Sequence, residues 1–314
     1  MESSLRIAKF LVETGAFKSL QNPGLLTSGQ LAVYYINAEK LCQDNGEWES
    51  FGDDSRGMID HALAMMDEQP IFEEVIETLA DWFHALNGCW YYGYKDLRQT
   101  AISGGERRDW IFSGPLAYFL DRPHISLHKD GRVNMLWREG DVEDYSKRRL
   151  DEFSVVHVVD LITEGSSIYR VEDRKEQGWV PMLRQRGARI SDLAAIVTRL
   201  QGGEEMLAEK RVDVAPFVAI DEEFLSEHSA NAERDIAYLK NPDEWCEAYL
   251  LASGALMLLD DFNPCGKNYA RAVKFMGRYG GVLKQNSGFS DLQGGVRDKY
   301  GYDITSLLKC KDRF

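Results

Sequence analysis

The chain has 314 residues, of which 28% are charged and 44% hydrophobic, an ordinary composition for a globular protein. By the soft rule of roughly 150 residues per domain, it holds either one large domain or one domain with an appended piece. The formal net charge of -14 argues against a general binder of DNA, RNA or anionic membranes, and leaves room for a local basic pocket that takes a phosphorylated substrate.

The cysteines and the N-terminus indicate the cellular compartment. The five cysteines are scattered and form no Cys-x-x-Cys pair, which favours reduced thiols in the cytosol over disulfides or zinc. Residues 1–6 begin no signal-peptide apolar segment, and no apolar run approaches the roughly 18 residues that span a membrane. We therefore expect a cytoplasmic protein without membrane contact.

Two elements are predicted before residue 40. Helical spacing of apolar residues predicts a short helix over residues 5–13, and a strand is predicted over residues 31–37. Between them, Asn-Pro-Gly at residues 22–24 predicts a turn. Taken alone, the adjacent Tyr34 and Tyr35 indicate an aromatic strand that packs on the core.

The first candidate anion site follows helices predicted over residues 60–66 and 70–86. Gly104 and Gly105 predict a turn between a strand and an apolar helix, and backbone N–H groups at such a helix start bind anions. Arg107 and Arg108 can make forked contacts with a phosphate. The alternative is a solvated, charged helix N-terminus.

A strand is predicted next over residues 123–129, which contain His128 and Lys129. Residues 130–153 are dense in charge and predict a mobile loop or a short hairpin.

The second candidate site is centred on Asp160. The valines of residues 155–159, interrupted only by His157, predict a buried strand that ends in this carboxylate. The residues after it are small or carry hydroxyls: Thr163, Glu164, Gly165, Ser166 and Ser167. A strand, such a loop and a helix bind phosphate through backbone N–H groups and hydroxyls. The carboxylate can hold a sugar hydroxyl or an attached Mg²⁺.

Two common phosphate motifs are excluded at this loop, because neither Gly-Lys-Ser/Thr nor Gly-x-Gly-x-x-Gly is present. The alternative is an ordinary strand–turn–helix joint with a serine N-cap. Further on, we predict a helix over residues 168–186 interrupted at 178–181, a core segment over 190–199 and a last strand over 212–220. Helices are predicted over 230–240 and 242–262.

Alternating strands and helices predict an α/β fold with a mostly parallel central sheet flanked by helices. Ligands of such sheets bind at the carboxyl ends of the strands. Asp160, the Gly104-Gly105 turn and Lys129 all fall at predicted strand ends.

The motifs together resemble type I phosphoribosyltransferases, most closely the orotate enzymes, over residues 5 to about 225. The segment 160–167 resembles their diphosphoribosyl-binding motif, and Gly104-Gly105-Glu106 resembles their pyrophosphate loop. Residues 13–18, 26–30 and 34–37 resemble their N-terminal hood. Each motif is weak by itself, and their common order along the chain carries the resemblance.

The resemblance implies a phosphoribosyltransferase-like domain with an N-terminal hood over residues 1–225 and a helical extension over 226–314. It implies an enzyme, assisted by Mg²⁺, that joins the phosphoribosyl group of 5-phosphoribosyl 1-diphosphate to a nucleobase, orotate above all. It further implies a homodimer.

The resemblance also implies roles for individual residues. Asp160 and Lys129 are the catalytic candidates, and Asp160 also contacts the metal indirectly, through the ligand. The candidates for binding phosphoribosyl diphosphate are Asp160, Thr163, Glu164, Gly165, Ser166, Ser167, Gly104, Gly105, Arg107, Arg108 and Lys129. The candidates for binding the base are Tyr35, Tyr34 and Thr27.

Several residues depart from the family pattern and leave a second function open. Val159 stands where the family has the first of two adjacent acids, and His128 stands where it has an arginine. In the hood, Thr27 and Gln30 replace a lysine and an arginine. Residues 130–153, which correspond to the family's catalytic loop, lack its His-Gly pair. Glu164 places a carboxylate beside the phosphate loop. The alternative is therefore a non-catalytic, regulatory binder of phosphoribosyl diphosphate or a nucleotide.

Overall fold

The structure is a computed structural model that describes residues 2–26, 28–44, 46–90, 100–138, 142–285 and 288–309. The chain divides into two compact units. The first unit comprises Met1–Phe17 and Asn37–Ile220, and the second comprises Lys18–Ile36 and Asp221–Phe314.

The strands are β1 (Phe17–Leu25), β2 (Leu31–Ile36), β3 (Thr100–Gly105), β4 (His124–Leu127), β5 (Val133–Leu136), β6 (Glu143–Asp144), β7 (Ser154–Ile162), β8 (Arg170–Glu172), β9 (Lys175–Gln177), β10 (Arg189–Thr198) and β11 (Asp213–Ala219).

The helices are α1 (Glu2–Glu13), α2 (Ser55–Glu68), α3 (Pro70–Trp90), α4 (Arg108–Phe119), α5 (Trp179–Gln185), α6 (Gly203–Glu209), α7 (Glu222–His228), α8 (Ala232–Lys240), α9 (Pro242–Ser253), α10 (Tyr269–Leu283) and α11 (Gly288–Tyr300). Short 3₁₀ helices cover Ala38–Cys42, Glu47–Phe51, Leu256–Phe262 and Ile304–Lys309.

The first unit is built on a seven-stranded sheet with the order β11-β10-β7-β3-β4-β5-β6. The pairs from β11 to β4 are all parallel, and β5 and β6 continue the sheet in antiparallel fashion. The predicted α/β fold with a mostly parallel central sheet is therefore confirmed.

The central strand β7 has the burial that its sequence predicts. Its four valines at positions 155, 156, 158 and 159 are all buried, because β7 has a strand on each side and packed layers above and below. His157 is buried among them, and its Nδ1 lies 2.8 Å from Ser103 Oγ on β3. This hydrogen bond satisfies one ring nitrogen in an otherwise apolar strand.

Helix α4 covers the sheet beside β3 and β7 and is buried along most of its length. Every residue from Asp109 to Ala117 is buried, including the charged Asp109. A Cβ at Gly114 would lie 2.4 Å from Ile59 Cγ1, so this glycine allows α2 to approach α4 closely. An apolar helix with one acid in its first turn thus leads from the carboxyl end of β3.

The helix predicted over residues 168–186 is wrong over its first half. Residues 170–177 form the exposed hairpin β8–β9, and only Trp179–Gln185 are helical. The hairpin turns at Asp173 and Arg174, whose φ angles of +49° and +62° are those of a type I′ turn. Asp-Arg lacks the glycine that usually marks this turn, so its sequence gives little signal of a hairpin.

Two further expectations change in detail. The turn predicted at residues 22–24 lies inside β1, where an edge position tolerates Pro23 because no strand needs its missing N–H. Of the two alternatives for residues 130–153, the short hairpin is the one that forms, as β5 and β6.

The second unit combines the β1–β2 hairpin with helices α7 to α11. The buried Asp235 of α8 joins its parts, since it accepts hydrogen bonds from Ser19 of β1 at 2.7 Å, Ser229 at 2.6 Å and Arg234 at 2.8 Å. The predicted domain boundary at residue 225 stays a prediction, whereas the packing groups residues 18–36 with the C-terminal helices.

Two expectations from the sequence concern the oxidation state of the cysteines and the presence of membrane-spanning helices. Among the cysteines whose side chains are described, Cys42, Cys246 and Cys265 are free thiols. Within the described residues, no helix combines the length and the apolar character needed to cross a bilayer.

Candidate functional site

The carboxyl ends of three neighbouring parallel strands, β4, β3 and β7, bring the predicted residues to one edge of the sheet. Glu106 follows β3, Lys129 follows β4, and Asp160 lies near the end of β7. The loops after β3 and β4 are tied together, because Glu106 N donates to Leu127 O at 2.9 Å and Lys129 N donates to Glu106 Oε2 at 3.0 Å. The predicted meeting of these strand ends is observed.

Gly104 and Gly105 end β3 and do not form the predicted turn, which instead occupies Glu106 and Arg107. Both glycines are required by packing. A Cβ at Gly104 would lie 2.2 Å from Ser113 Oγ, and a Cβ at Gly105 would lie 2.2 Å from Trp179 Nε1. Gly104 O accepts from Trp110 Nε1 at 3.0 Å, so this carbonyl is engaged within the protein.

Asp109 is the residue of this edge that the sequence did not single out. Its carboxylate is 8% exposed and accepts two backbone hydrogen bonds, from Gly105 N at 3.1 Å and from Asp160 N at 2.9 Å. An acidic group in the first turn of a helix also interacts favourably with the helix dipole. Asp109 therefore joins the ends of β3 and β7 and fixes the backbone that carries Asp160.

The carboxyl groups of Asp109 and Asp160 affect each other's pKa in opposite directions, since the charge of Asp160 raises the pKa of Asp109 while the hydrogen bond with Asp109 lowers the pKa of Asp160. Burial raises the pKa of Asp109 well above its usual range, and the adjacent charge of Asp160 raises it further. Burial also raises the pKa of Asp160, while the guanidinium of Arg108 opposes that shift. Two like charges this close do not both ionise freely, so the pair retains a proton more readily than isolated carboxyls would.

The two arginines predicted to bind phosphate have different surroundings. Arg108 forms an ion pair with Glu39 of the Ala38–Cys42 3₁₀ helix. Arg107 precedes α4, is half-buried and makes no ion pair with any described residue. Arg107 is therefore the more available cation, and Arg108 is partly neutralised.

The loop after β7 keeps its hydrogen-bond donors available. The backbone N–H groups of residues 163–167 donate to no acceptor among the described residues, and neither do the hydroxyls of Thr163, Ser166 and Ser167. Gly165 has a φ of +72°, a left-handed conformation that favours glycine, and a Cβ there would lie 2.7 Å from Met206 Cε at the end of a flexible side chain. Consecutive unpaired N–H groups around a left-handed residue form an anion-binding concavity.

The helix expected directly after this loop is displaced by the β8–β9 hairpin. Helix α5 begins at Trp179, and its first N–H groups are already used: Trp179 N donates to Ser167 O at 3.2 Å and Val180 N to Ile168 O at 3.0 Å. The loop therefore offers its own backbone and hydroxyls to an anion, without the helix N-terminus that the sequence analysis predicted.

Three more predicted side chains differ in accessibility. Glu164 and Lys129 are exposed to solvent. His128 is fully buried, packs edge-on against Trp110 at 4.8 Å and bonds Asn134 at 3.1 Å. Because burial lowers the pKa of His128, its ring is neutral near pH 7 and cannot replace the charge of an arginine at this place.

The base-binding candidates lie in the second unit. Tyr34 is fully buried, and its ring packs edge-on against Tyr238 at 5.6 Å, so the protein itself covers it. Tyr35 is 38% exposed and is the member of the pair that can stack on a ligand. Thr27 lies outside the described residues.

The carboxylates at the strand ends fit a metal that is held mainly by the substrate and its waters, and only in part by the protein. The described residues contain no group of three or more His, Cys, Asp or Glu side chains that could hold a metal ion. Mg²⁺ usually keeps several waters and binds one or two carboxylates together with substrate phosphates. Asp160 suits that mode, because it stands beside the phosphate loop.

The chain is similar in sequence to adenine phosphoribosyltransferases. The protein from Pseudoalteromonas translucida is 29% identical over 161 residues, which cover 49% of this chain and 87% of that protein. The protein from Shewanella loihica is 27% identical over 168 residues, covering 50% and 91%. No model of a protein family matches the chain.

Two solved structures of phosphoribosyltransferases and related enzymes align with part of the chain. An orotate phosphoribosyltransferase from Aeropyrum pernix aligns with a TM-score of 0.41 and 20% identity, over 70% of this chain and 97% of its own. The UMP synthase of Leishmania donovani aligns with a TM-score of 0.44 and 19% identity, over 76% and 42%. These scores are too low to support an argument, so the relationship rests on the sequence matches.

Proposed function

We propose that this chain, a divergent relative of the phosphoribosyltransferases over about half of its length, is itself a phosphoribosyltransferase. In the proposed reaction, the bond between ribose C1 and the diphosphate oxygen breaks, and a bond between C1 and a nucleobase nitrogen forms. Diphosphate leaves with the electron pair, the base nitrogen loses its proton, and a nucleoside 5′-monophosphate results.

The observation that carries the proposal is the loop of residues 163–167 beside Asp160. Its five N–H groups, which donate to none of the described residues, and its three hydroxyls can donate hydrogen bonds to the oxygens of a 5′-phosphate. The carboxylate of Asp160, on the strand that leads into this loop, can accept hydrogen bonds from the ribose hydroxyls of the same substrate.

The remaining residues at the strand ends suit the departing diphosphate. Arg107 and the exposed Lys129 bring positive charge to this edge, and Asp109 holds Asp160 in position through its backbone N–H. Bound to the diphosphate, Mg²⁺ would neutralise charge as that group leaves. Cationic side chains that face the leaving group lower the barrier, because negative charge develops there.

For the base, we propose orotate first and adenine second. The hood-like motifs around Tyr35 resemble orotate enzymes, whereas the sequence relatives reported above are adenine enzymes. Either planar base can stack on an exposed tyrosine ring. Turnover assays with each base, in the presence of phosphoribosyl diphosphate and Mg²⁺, distinguish them. Activity with neither would contradict both assignments.

The proposal is tested with Asp160→Asn. Loss of the carboxylate charge should abolish binding of phosphoribosyl diphosphate with Mg²⁺ in calorimetric titrations and abolish turnover. Asp67→Asn is the matched control, since Asp67 is exposed on α2 with no described hydrogen-bond partner, and should bind as the wild type does. Unchanged affinity in a folded Asp160→Asn protein would remove the proposed role.

A second candidate is a non-catalytic binder of phosphoribosyl diphosphate or a nucleotide. Three observations favour it: the 2% exposed Val159 replaces an acid, Arg108 is paired with Glu39, and His128 is buried and neutral. Micromolar binding without turnover of any base, orotate and adenine included, would establish this candidate over the enzyme.

We also propose that the protein acts as a homodimer, as the resemblance implies. Light scattering on the purified chain measures this directly, and a monomer at assay concentration that is fully active would contradict it.

A further inference from the structure

A cleft lies at the end of the sheet opposite to the candidate site. Two adjoining cavities, of about 280 and 520 Å³, share Tyr118, Arg122, Trp137 and Arg138 in their walls. His124, at the amino end of β4, lines the smaller one. Helix α4 runs from the candidate site to this cleft, a length of roughly 18 Å for its 12 residues. We call this pair of adjoining cavities the α4 cleft.

Arg122 is a polar residue of the α4 cleft whose Nε has no hydrogen-bond partner among the described residues. Its Nε is buried without a hydrogen-bond acceptor, and its guanidinium makes no ion pair with any described residue. Its backbone is fixed, because Arg122 N donates to Ala117 O at 2.9 Å. A buried guanidinium donor normally has an acceptor, and no described residue supplies one to this Nε, which favours a bound anion.

The charge around Arg122 favours an anion as well. The guanidinium of Arg138 lies 4.4 Å above the Tyr118 ring. It also forms an ion pair with Asp121 at 3.8 Å, which contributes little stability because both side chains are exposed. Arg56 also lines the cleft and pairs with Asp60. Among the described residues that line the cleft, three arginines face two aspartates, in a chain whose net charge is -14.

Two aromatic rings complete the cleft. Trp137 is 40% exposed and Tyr118 is 38% exposed, so both rings are accessible in the cleft, and Arg138 lies over the Tyr118 ring. Flat ring faces beside arginines suit a ligand that combines a planar ring with a phosphate. We propose that the α4 cleft binds a small ring-bearing phosphate with the chemistry of a nucleoside monophosphate.

The test uses the Asp160→Asn background, and because that variant keeps the N–H groups of residues 163–167, hydrogen exchange is the measurement that separates this cleft from the candidate site. Titration of AMP and UMP should still give binding, and hydrogen exchange should slow in residues 117–124 and 133–138. Arg122→Gln should weaken the affinity about tenfold or more, because a charge-assisted contact is lost. Arg148→Gln is the control, since this exposed arginine pairs with Glu143 outside the cleft. It should leave the affinity unchanged.

Trp137→Ala gives a second measurement that does not depend on Arg122. It should weaken AMP binding and leave binding of ribose 5-phosphate, which has no planar base, unchanged. Three results would overturn the proposal: no protection of these segments by AMP or UMP, equal affinity in Arg122→Gln, or protection that depends on protein concentration and not on nucleotide. The last result would mean that a second copy of the chain covers the cleft.

Discussion

At the scale of single residues, Asp160 and Asp109 differ in what the sequence reveals. Asp160 ends a run of valines and precedes small hydroxyl residues, so its local pattern predicts a ligand contact. Asp109 has no such pattern, because its role depends on Asp160 N, which is 51 residues away along the chain and 2.9 Å away in the fold. The signal for Asp109 in the sequence is weak, namely that it is an acid in the first turn of an apolar helix.

Removal of the Asp109 carboxylate should destabilise the protein. Asp109→Ala leaves the N–H groups of Gly105 and Asp160 buried without acceptors, which costs about 1–3 kcal/mol of unfolding free energy. Urea unfolding at pH 7 measures this cost, with Asp67→Ala as the exposed control. Equal stability of the two variants would show that Asp109 does not hold these strand ends.

The carboxylate of Glu164 should matter little for ligand affinity. Its side chain is exposed, and the loop presents the backbone N–H of this position, so Glu164→Ala should change the affinity for phosphoribosyl diphosphate less than about threefold. Glu205→Ala, an exposed acid in α6, is the control. A gain of tenfold or more would instead indicate a motif that has drifted from catalysis, since it reveals a repulsive contact.

At the scale of elements, β7 was predictable and the hairpin β8–β9 was not. The valines of β7 are buried by neighbours on both sides, and a continuous apolar run predicts that environment. Exposed strands of three residues contain too few alternations to establish a period. The turn glycines usually needed at Asp173 and Arg174 are also absent. The strand and the loop after it were therefore located from the sequence, whereas the element after the loop was assigned wrongly.

The buried histidines of the sheet should make the protein sensitive to acid. Burial lowers the pKa of His157 and of His124 to about 3, whereas an unfolded histidine titrates near 6.5. Between these values the unfolded chain binds a proton and the folded chain does not. Stability therefore falls as the pH falls through this range, by about 1.4 kcal/mol per pH unit for each ring.

Replacement of one ring isolates this effect. In Ser103→Ala/His157→Leu, which removes the ring together with its hydrogen-bond partner, the decline in unfolding free energy between pH 6.5 and 5 should be smaller by about 2 kcal/mol. The control is His84→Gln, an exposed histidine on α3, which should keep the wild-type slope. An unaltered slope in the double variant would mean that His157 is protonated in the folded chain.

At the scale of the whole molecule, chain length predicted either one large domain or one domain with an appended piece, and the structure contains two compact units. The composition did not reveal which residues each unit contains. Ser19 and Asp235 are 216 positions apart and 2.7 Å apart in space, and no local pattern connects them. Membership of the β1–β2 hairpin in the second unit is a consequence of such distant contacts.

Loss of the Asp235 carboxylate should weaken the second unit. Asp235→Ala leaves Arg234 and the two serine hydroxyls without their shared acceptor, and removing one partner of a buried ion pair costs about 3–5 kcal/mol. Hydrogen exchange should quicken in residues 18–36 and 222–240. Faster exchange confined to residues 154–162 of the sheet would contradict the division into these units.

In the loop of residues 163–167, the carbonyl oxygens and the N–H groups differ in their hydrogen bonding. The carbonyl oxygens of Gly165, Ser166, Ser167 and Ile168 all accept hydrogen bonds from the protein, while the N–H groups of residues 163–167 donate to none of the described residues. The loop is thus preorganised, and an anion that enters it pays little for ordering the backbone. Binding should register as an enthalpy gain with a small heat-capacity change, because few apolar groups are covered.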